Sequence, residues 1–139
     1  MEPIINPPKK PLKTGELLKI KLQCLYGPPK AIIPKIIVIS RLENGEIWGE
    51  CSYGDENARK AKKKIKLNRE RAGLLLEKLE RLRIPAAPDL VSGCDGGYTE
   101  VEIGDEYSKA VYRWWEEAPR GWEELERIAD RFVRMMGME

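Results

Sequence analysis

Hydrophobic and polar residues alternate along several short stretches of the chain, a pattern typical of half-buried β-strands. Residues 18–26 alternate in this way, and residues 35–40 form a continuous β-branched run that is too short for a helix. Residues 46–53 alternate again, and the intervening Asn44-Gly45 is a strong signal for a tight hairpin turn. The first part of the chain therefore predicts three strands, the last two of which form a hairpin.

The carboxyl-terminal half predicts a second hairpin. Residues 98–103 alternate polar and apolar side chains, residues 104–106 supply turn chemistry, and residues 108–115 return as a strand. Because adjacent residues of a strand face opposite sides of the sheet, only one of Trp114 and Trp115 is expected in the core.

Two other stretches repeat their apolar residues every three or four positions, as amphipathic helices do. Residues 69–83 follow Asn68, which is a good N-cap, and residues 122–136 follow a Pro-Arg-Gly break. Between the first hairpin and the first helix, Ile65 and Leu67 alternate with lysines and predict an optional edge strand. The residues expected in the core are Leu75, Leu79, Leu82, Leu125, Ile128 and Phe132 of the helices, packed against Ile37, Ile39, Val101 and Ile103.

These elements predict a two-layer α+β domain in the order β-β-β-(β)-α-β-β-α. The sheet is expected to be antiparallel or mixed, with about five strands and with both helices on one face. Residues 1–16 contain four prolines and three lysines and are predicted to be a flexible arm, whereas residues 17–137 are predicted to form a single domain.

The composition argues against an enzyme. The chain has no histidine, which removes the ordinary Ser–His and Cys–His pairs and the imidazole general base. Its three cysteines are widely spaced without a Cys-x-x-Cys pair, so neither a disulfide framework nor a zinc site is expected. We expect no cofactor and no metal. The single glutamine and the abundance of lysine, arginine and glutamate are typical of proteins from hot environments, which favours a bacterial or archaeal source.

No apolar run approaches the ~18 residues that a membrane-spanning helix needs, and no signal peptide is recognisable at the start of the sequence. A cytoplasmic protein is therefore expected. Charge is divided unequally along the chain: residues 1–83 hold 19 Lys and Arg against 10 Asp and Glu, and residues 84–139 hold 6 against 13. Either the two halves attract each other within the fold, or the surface has a basic and an acidic side.

The basic side makes nucleic-acid binding an alternative function. Trp48 lies on the polar face of its predicted strand, where an aromatic ring can stack on a base. The cations that would neutralise phosphates are Arg59, Lys60, Lys62, Lys63, Lys64 and Lys66.

The acidic end of the second hairpin makes protein binding the leading hypothesis. Trp115 is followed by Glu116 and Glu117, and the last helix opens with Trp122. An aromatic residue surrounded by polar groups is typical of a binding hot spot. The competing interpretation is that Trp115 covers a second small core formed with the N-terminal arm. We expect an inhibitor, immunity-type or adaptor module whose partner is another protein and whose oligomeric state the sequence does not give.

The region from residue 69 to residue 136 resembles a pattern found in small uncharacterised bacterial domains. In that pattern a helix is followed by Asp-Gly, by an alternating strand, and, after a short turn, by a second strand that ends in Trp-Trp. Pro-x-Gly-Trp-x-x-Leu then opens a final helix. The matching residues are Asp95-Gly96, Tyr98, Val101, Ile103, Tyr112, Trp114-Trp115, Pro119, Gly121-Trp122 and Leu125. The order of elements is also similar to that of emfourin-type inhibitors, small bacterial proteins that block metalloproteases. The resemblance implies a non-catalytic domain that binds another macromolecule.

Overall fold

The computed structural model describes residues 13–24, 35–53, 61–87, 97–105 and 107–137. For residues 23, 24, 53, 61 and 62 only the backbone is described. The elements are β1 (Gly15–Cys24), β2 (Lys35–Arg41), β3 (Ile47–Tyr53), β4 (Ala61–Lys66), α1 (Arg69–Arg81), β5 (Gly97–Gly104), β6 (Lys109–Trp115) and α2 (Glu123–Met135). Within these residues no helix is both long and apolar enough to cross a membrane.

The strands form one sheet in the order β4-β3-β2-β1-β5-β6, and every neighbouring pair is antiparallel. An α+β fold with an antiparallel sheet and two helices is therefore confirmed. The expected number of about five strands is too low, because the lysine-rich segment that was only an optional strand is β4. It pairs with β3 over its whole length, so backbone hydrogen bonding overrides the repulsion between its lysines.

The predicted turns and caps are largely confirmed. Gly45 has a φ of 89°, and the amide of Glu46 donates to Asn44 Oδ1 at 2.9 Å, which closes the first hairpin. Asn68 caps α1 by accepting a hydrogen bond from the amide of Arg71 at 2.9 Å. α1 ends two residues earlier than predicted. β1 starts at Gly15, two residues inside the segment predicted to be an arm.

One buried cluster contains alternate residues of the strands together with apolar stripes of both helices. Of the residues expected in the core, only Leu82 and Ile103 are partly rather than fully buried. On β2, Ile36 and Ile37 point to opposite sides of the sheet and yet are 2% and 0% exposed, so this interior strand is covered on both faces at these positions. Cys51 is also buried and belongs to the same cluster as a small core residue.

Helix α2 makes contacts near both edges of the sheet. At its start, the ring of Trp122 packs edge-to-face against Tyr112 of β6, with ring centroids 5.2 Å apart. Just past its end, the side chain of Met136 occupies the space where a Cβ at Gly49 of β3 would lie. Lys63 of β4 donates to the Met136 carbonyl at 3.3 Å, which places a cation at the negative end of the helix dipole.

Candidate interaction surfaces

The two adjacent tryptophans of β6 lie on opposite sides of the sheet, as the alternation predicted. Trp114 is 4% exposed and belongs to the buried cluster. Trp115 is only half-buried, and its ring packs edge-to-face on Tyr98 of β5 with centroids 5.6 Å apart. The described residues therefore leave part of Trp115 accessible to a partner, and Trp115 is held in place by one aromatic neighbour.

Next to Trp115, Arg113 ties the two strands of the hairpin together. Its Nη2 lies 2.7 Å from Glu100 Oε1, and its guanidinium lies 4.9 Å from the ring centre of Tyr98. The hydrogen bonds that Arg113 donates to the Glu100 carboxylate raise the pKa of Arg113 above its usual range. Because cross-strand neighbours hold both groups, the aromatic and cationic side chains of this face are preorganised.

On the other side of the hairpin end, Glu116 and Glu117 line a cleft of about 220 Å³. Two further carboxylates, Glu126 and Asp130, complete its acidic lining. The other lining residues are mostly apolar: Leu22, Thr99, Trp114, Ala129 and Val133. The cleft therefore combines four carboxylates with mainly apolar neighbours.

The backbone at Glu116 fixes the direction of this rim. Glu116 is the non-glycine residue with a positive φ, 53°, in the described part of the chain, and its amide donates to the Gly97 carbonyl at 2.8 Å. This left-handed conformation costs such a residue about 1 kcal/mol. It bends the chain sharply as β6 ends. The carboxylate of Glu126 accepts from the amide of Ala118 at 2.7 Å, which fastens the next residues to α2.

Trp122 does not belong to this accessible surface. It is 4% exposed, its Nε1 donates to the Pro85 carbonyl at 2.8 Å, and its ring lies edge-on to Trp114 at 6.4 Å. Trp122 therefore joins the start of α2 to the segment after α1 and to β6. Its burial leaves little of the Trp122 ring accessible to a partner.

The lysines of the basic segment have partners inside the protein wherever their side chains are described. Lys64 Nζ lies 5.4 Å from the ring centre of Trp48, and Lys66 Nζ lies 3.2 Å from Glu46 Oε1. Lys63 bonds the end of α2, as described above. Arg59 and Lys60 lie outside the described residues, and Lys62 is described by its backbone alone.

Trp48 also has a hydrogen-bond partner within the protein, the carboxylate of Glu46. Its Nε1 donates to Glu46 Oε2 at 3.1 Å, and this hydrogen bond, followed by that from Lys66, lowers the pKa of Glu46. The ring is half-buried between a carboxylate and Lys64. The structure therefore brings together Trp48, Lys64 and Lys66, as the nucleic-acid hypothesis requires, but it also pairs each of them within the fold.

The two outer strands differ in what their free edges present. The Glu116–Gly97 bond identifies which β5–β6 pairs are hydrogen-bonded, and the alternation of antiparallel pairs fixes the others. On β6, the residues whose N–H and C=O groups point away from the sheet are Lys109, Val111, Arg113 and Trp115. On β4, the bond from Leu67 N to Ile47 O at 2.9 Å gives the corresponding set, which is Lys62, Lys64 and Lys66.

Sequence reasoning missed half of the acidic cleft and the distinction between the two edges. Glu126 and Asp130 are four residues apart on α2, as are Ala129 and Val133, so their shared sides of the helix were readable from the sequence. Their approach to Glu117 depends on the position of α2 over the sheet. The difference between the edges depends on the strand order, which local patterns do not give.

Among the described residues, no group of three or more His, Cys, Asp or Glu side chains is arranged to hold a metal ion. Cys94, the last of the three cysteines, lies outside the described residues. A scan against models of known protein families and a search of curated proteins both returned no match to this chain.

Proposed function

We propose that both helices cover the same face of the sheet and that the protein is a non-catalytic module that binds another protein. Two contacts support the placement of the helices: Trp122 packs on Tyr112, and Met136 packs over Gly49. Both strand residues alternate in phase with the buried residues of their own strands. On this arrangement the opposite face carries Trp48, Trp115 and most of the charged strand residues.

The observation that carries the binding proposal is the acid-rimmed cleft beside α2. Four carboxylates line a space of about 220 Å³ whose other walls are mostly apolar, and Glu117 and Asp130 are exposed. A lysine or arginine side chain suits such a space, because its aliphatic stem can lie on Trp114 and Val133 while its charged head meets carboxylates. The proposed partner is therefore a protein that presents a basic side chain from a protruding loop or strand end.

Trp115 extends this surface around the end of the hairpin. It is half-buried against Tyr98, so part of a large aromatic ring remains available without the cost of ordering a loose side chain. Trp115 and the cleft lie on opposite sides of β6, so a partner that contacts both must wrap around the hairpin end. An inhibitor, as the resemblance to emfourin-type proteins implies, is one form that such a module would take.

Nucleic-acid binding through the basic segment is the weaker candidate. Phosphate binding would require Lys64 and Lys66 to exchange Trp48 and Glu46 for phosphate oxygens. The carboxylates near the cleft would also repel a polyanion. We expect random-sequence RNA and DNA to bind weakly, with an affinity that falls steeply with added salt and does not depend on Trp48.

Charge reversal in the cleft tests the proposal. Asp130→Lys places a cation in the cleft, and Glu80→Lys makes the same change on an exposed position of α1 outside it. Each variant and the parent chain are immobilised, and proteins retained from a nuclease-treated lysate of the native host are quantified by mass spectrometry. We expect at least one partner protein whose retained amount falls by about 10-fold or more on Asp130→Lys. The amount retained on Glu80→Lys should equal that on the parent chain.

The same experiment contains the results that would contradict the proposal. Equal retention by Asp130→Lys and Glu80→Lys would place any partner elsewhere. Partners that are retained from an untreated lysate but not from the nuclease-treated one would favour the nucleic-acid alternative. Once a partner is purified, Trp115→Ala should weaken its binding by at least ~1–2 kcal/mol while barely changing the melting temperature, because the ring is not part of the buried cluster.

A further inference from the structure

We propose that two copies of this chain associate through their β6 strands, which pair antiparallel about Tyr112 and join the two sheets into one continuous sheet. This inference goes beyond the proposed binding of a partner protein and does not rest on the acidic cleft. It rests on the backbone groups of an exposed edge, on the side chains beside them and on the register in which those side chains are self-complementary.

The backbone of β6 is open to a further strand. Residues at alternate positions direct their N–H and C=O groups outward, and no backbone hydrogen bond on that side is made by the described residues outside the sheet. The β5–β6 register runs without a bulge from Tyr98–Trp115 to Gly104–Lys109, and the strand contains no proline. Such an edge is a template for strand addition.

The side chains beside this edge are accessible and partly apolar. Val111 is 54% exposed, and Lys109, Ala110 and Arg113 are exposed as well. The two cations are already paired across the hairpin, Lys109 with Glu102 at 2.6 Å and Arg113 with Glu100. Pairing lowers the electrostatic cost of bringing a second positively charged strand alongside β6.

Among the registers that pair at least five residues of β6, only one avoids facing cations. Centring the pair on Tyr112 sets Val111 opposite Arg113 and Lys109 opposite Trp115 of the second copy, and each outward-directed residue then meets an outward-directed residue. A shift that centres the pair on Val111 makes Lys109 face Arg113, and one centred on Arg113 makes the two arginines face each other. Registers between these would set the helix-covered side of one sheet beside the opposite side of the other.

The chosen register adds favourable contacts as well as avoiding repulsion. Lys109 faces the ring of the second copy's Trp115, which suits a cation–π contact, and the Ala110 and Trp114 positions face each other as a small and a large residue. Two-fold symmetry makes each of these contacts twice, and closed two-fold dimers are the commonest oligomers.

The first test is the molar mass of the full chain by size-exclusion chromatography with light scattering over a concentration series. We expect a shift from the 16.0 kDa chain to twice that mass as concentration rises. Val111→Lys should lower the association constant by about 10-fold, because it sets a lysine opposite Arg113 at two symmetry-related positions. Within its own chain the new lysine faces Glu102, so the fold is retained.

Leu74→Lys is the matched control, since Leu74 is 60% exposed on α1 and the substitution adds the same charge. It should leave the association constant unchanged. Val111→Pro removes an outward amide without removing a β5–β6 hydrogen bond and should also weaken the dimer, whereas Lys64→Pro, at an outward position of β4, should not.

The register is tested by isotope-filtered NOEs in a dimer assembled from labelled and unlabelled chains. We expect contacts between the Val111 methyls of one copy and the Arg113 side chain of the other. A mass of one chain at every concentration would overturn the proposal. A dimer that Val111→Lys and Val111→Pro leave intact, or one whose intermolecular NOEs arise elsewhere, would overturn it equally.

Discussion

The two edge strands of the sheet present different residues at the positions whose backbone groups point outward. Every such position of β4 is a lysine, whereas β6 alternates cations with Val111 and Trp115. Lysines along a free edge oppose the approach of another strand, because a partner would have to desolvate and crowd their charges. β6 lacks this protection at half of its outward positions. Among the described residues, one edge of the sheet is therefore guarded by lysines and the other is left available.

The same difference extends to the side chains that surround each edge. Near β4, the described cations are committed to the fold: Lys63 to the end of α2, Lys64 to Trp48 and Lys66 to Glu46. Near β6, carboxylates line a cleft that is wide enough for a side chain. The unequal charge of the two halves of the sequence therefore appears as paired lysines near one edge of the sheet and as a carboxylate-lined cleft near the other.

The largest effect is expected from Phe132→Ala, which opens a cavity under both regions. Phe132 is fully buried in the last turn of α2, the helix that contacts β6 at its start and β3 near its end. We expect a loss of about 3–5 kcal/mol in the free energy of unfolding by urea. Leu74→Ala, at an exposed position of α1, should change it by less than about 0.5 kcal/mol. If Phe132→Ala unfolds only one edge region, the two are not parts of one cooperative unit.

Gly49→Ala acts on the β4 side of the comparison. A methyl group at this position would occupy the space of the Met136 side chain, which is fully buried. The forced displacement should cost about 1–3 kcal/mol by thermal or urea unfolding. Gly73→Ala is the matched control, because nothing lies within 4 Å of the added methyl group and α1 would gain helix propensity. It should raise stability by about 0.5–1 kcal/mol, and a loss there would show that α1 packs differently.

Trp122→Phe acts on the β6 side. The substitution keeps an aromatic ring beside Tyr112 but removes the indole N–H that bonds the Pro85 carbonyl at 2.8 Å. We expect a loss of about 1–2 kcal/mol in unfolding free energy, from the unsatisfied carbonyl and the smaller ring. Tyr107→Phe is a control, because Tyr107 is 88% exposed near the hairpin turn. Equal losses in the two variants would mean that the Trp122 contact does not anchor α2.

The smallest change in stability is expected from Lys64→Val, which gives the guarded edge an outward residue of the kind found on β6. The substitution removes the cation above Trp48 and should cost about 0.5–1 kcal/mol. Its more informative effect is on association, since an unguarded β4 edge should self-associate more readily than in the parent chain. Light scattering of the two proteins at equal concentration measures this. No increase in mass would show that Lys64 does not guard the edge.

Local patterns predicted the elements of this protein well and their arrangement less well. The Asn44-Gly45 turn, the Asn68 cap and the opposite sides of Trp114 and Trp115 follow from a few neighbouring residues, and all were predictable. Lys63 and Lys64 obscured β4, because their charge is typical of a solvated segment and its pairing with β3 is a long-range property.

The arrangement of the strands was not encoded in any local pattern. β1 lies between β2 and β5, which is far away in the sequence, and this order makes β4 and β6 the edges. The cleft depends both on the bend at Glu116 and on the position of Asp130 beside it. The sequence therefore predicted only the residues that the hairpin end contributes to the cleft. Trp122 looked like a contact residue because aromatic residues are common at both interfaces and cores, and its burial depends on Pro85.

Amide hydrogen exchange at the two edges tests the difference between them most directly. Exchange is measured residue by residue at low and at high protein concentration. We predict that the outward-directed amides of Val111 and Arg113 become protected at high concentration, whereas those of Lys64 and Lys66 exchange at the same rate in both samples. Inward-directed amides such as that of Tyr112 should be protected throughout. Unchanged exchange at Val111 and Arg113, or equal protection of Lys64 and Lys66, would contradict the distinction between a guarded and an available edge.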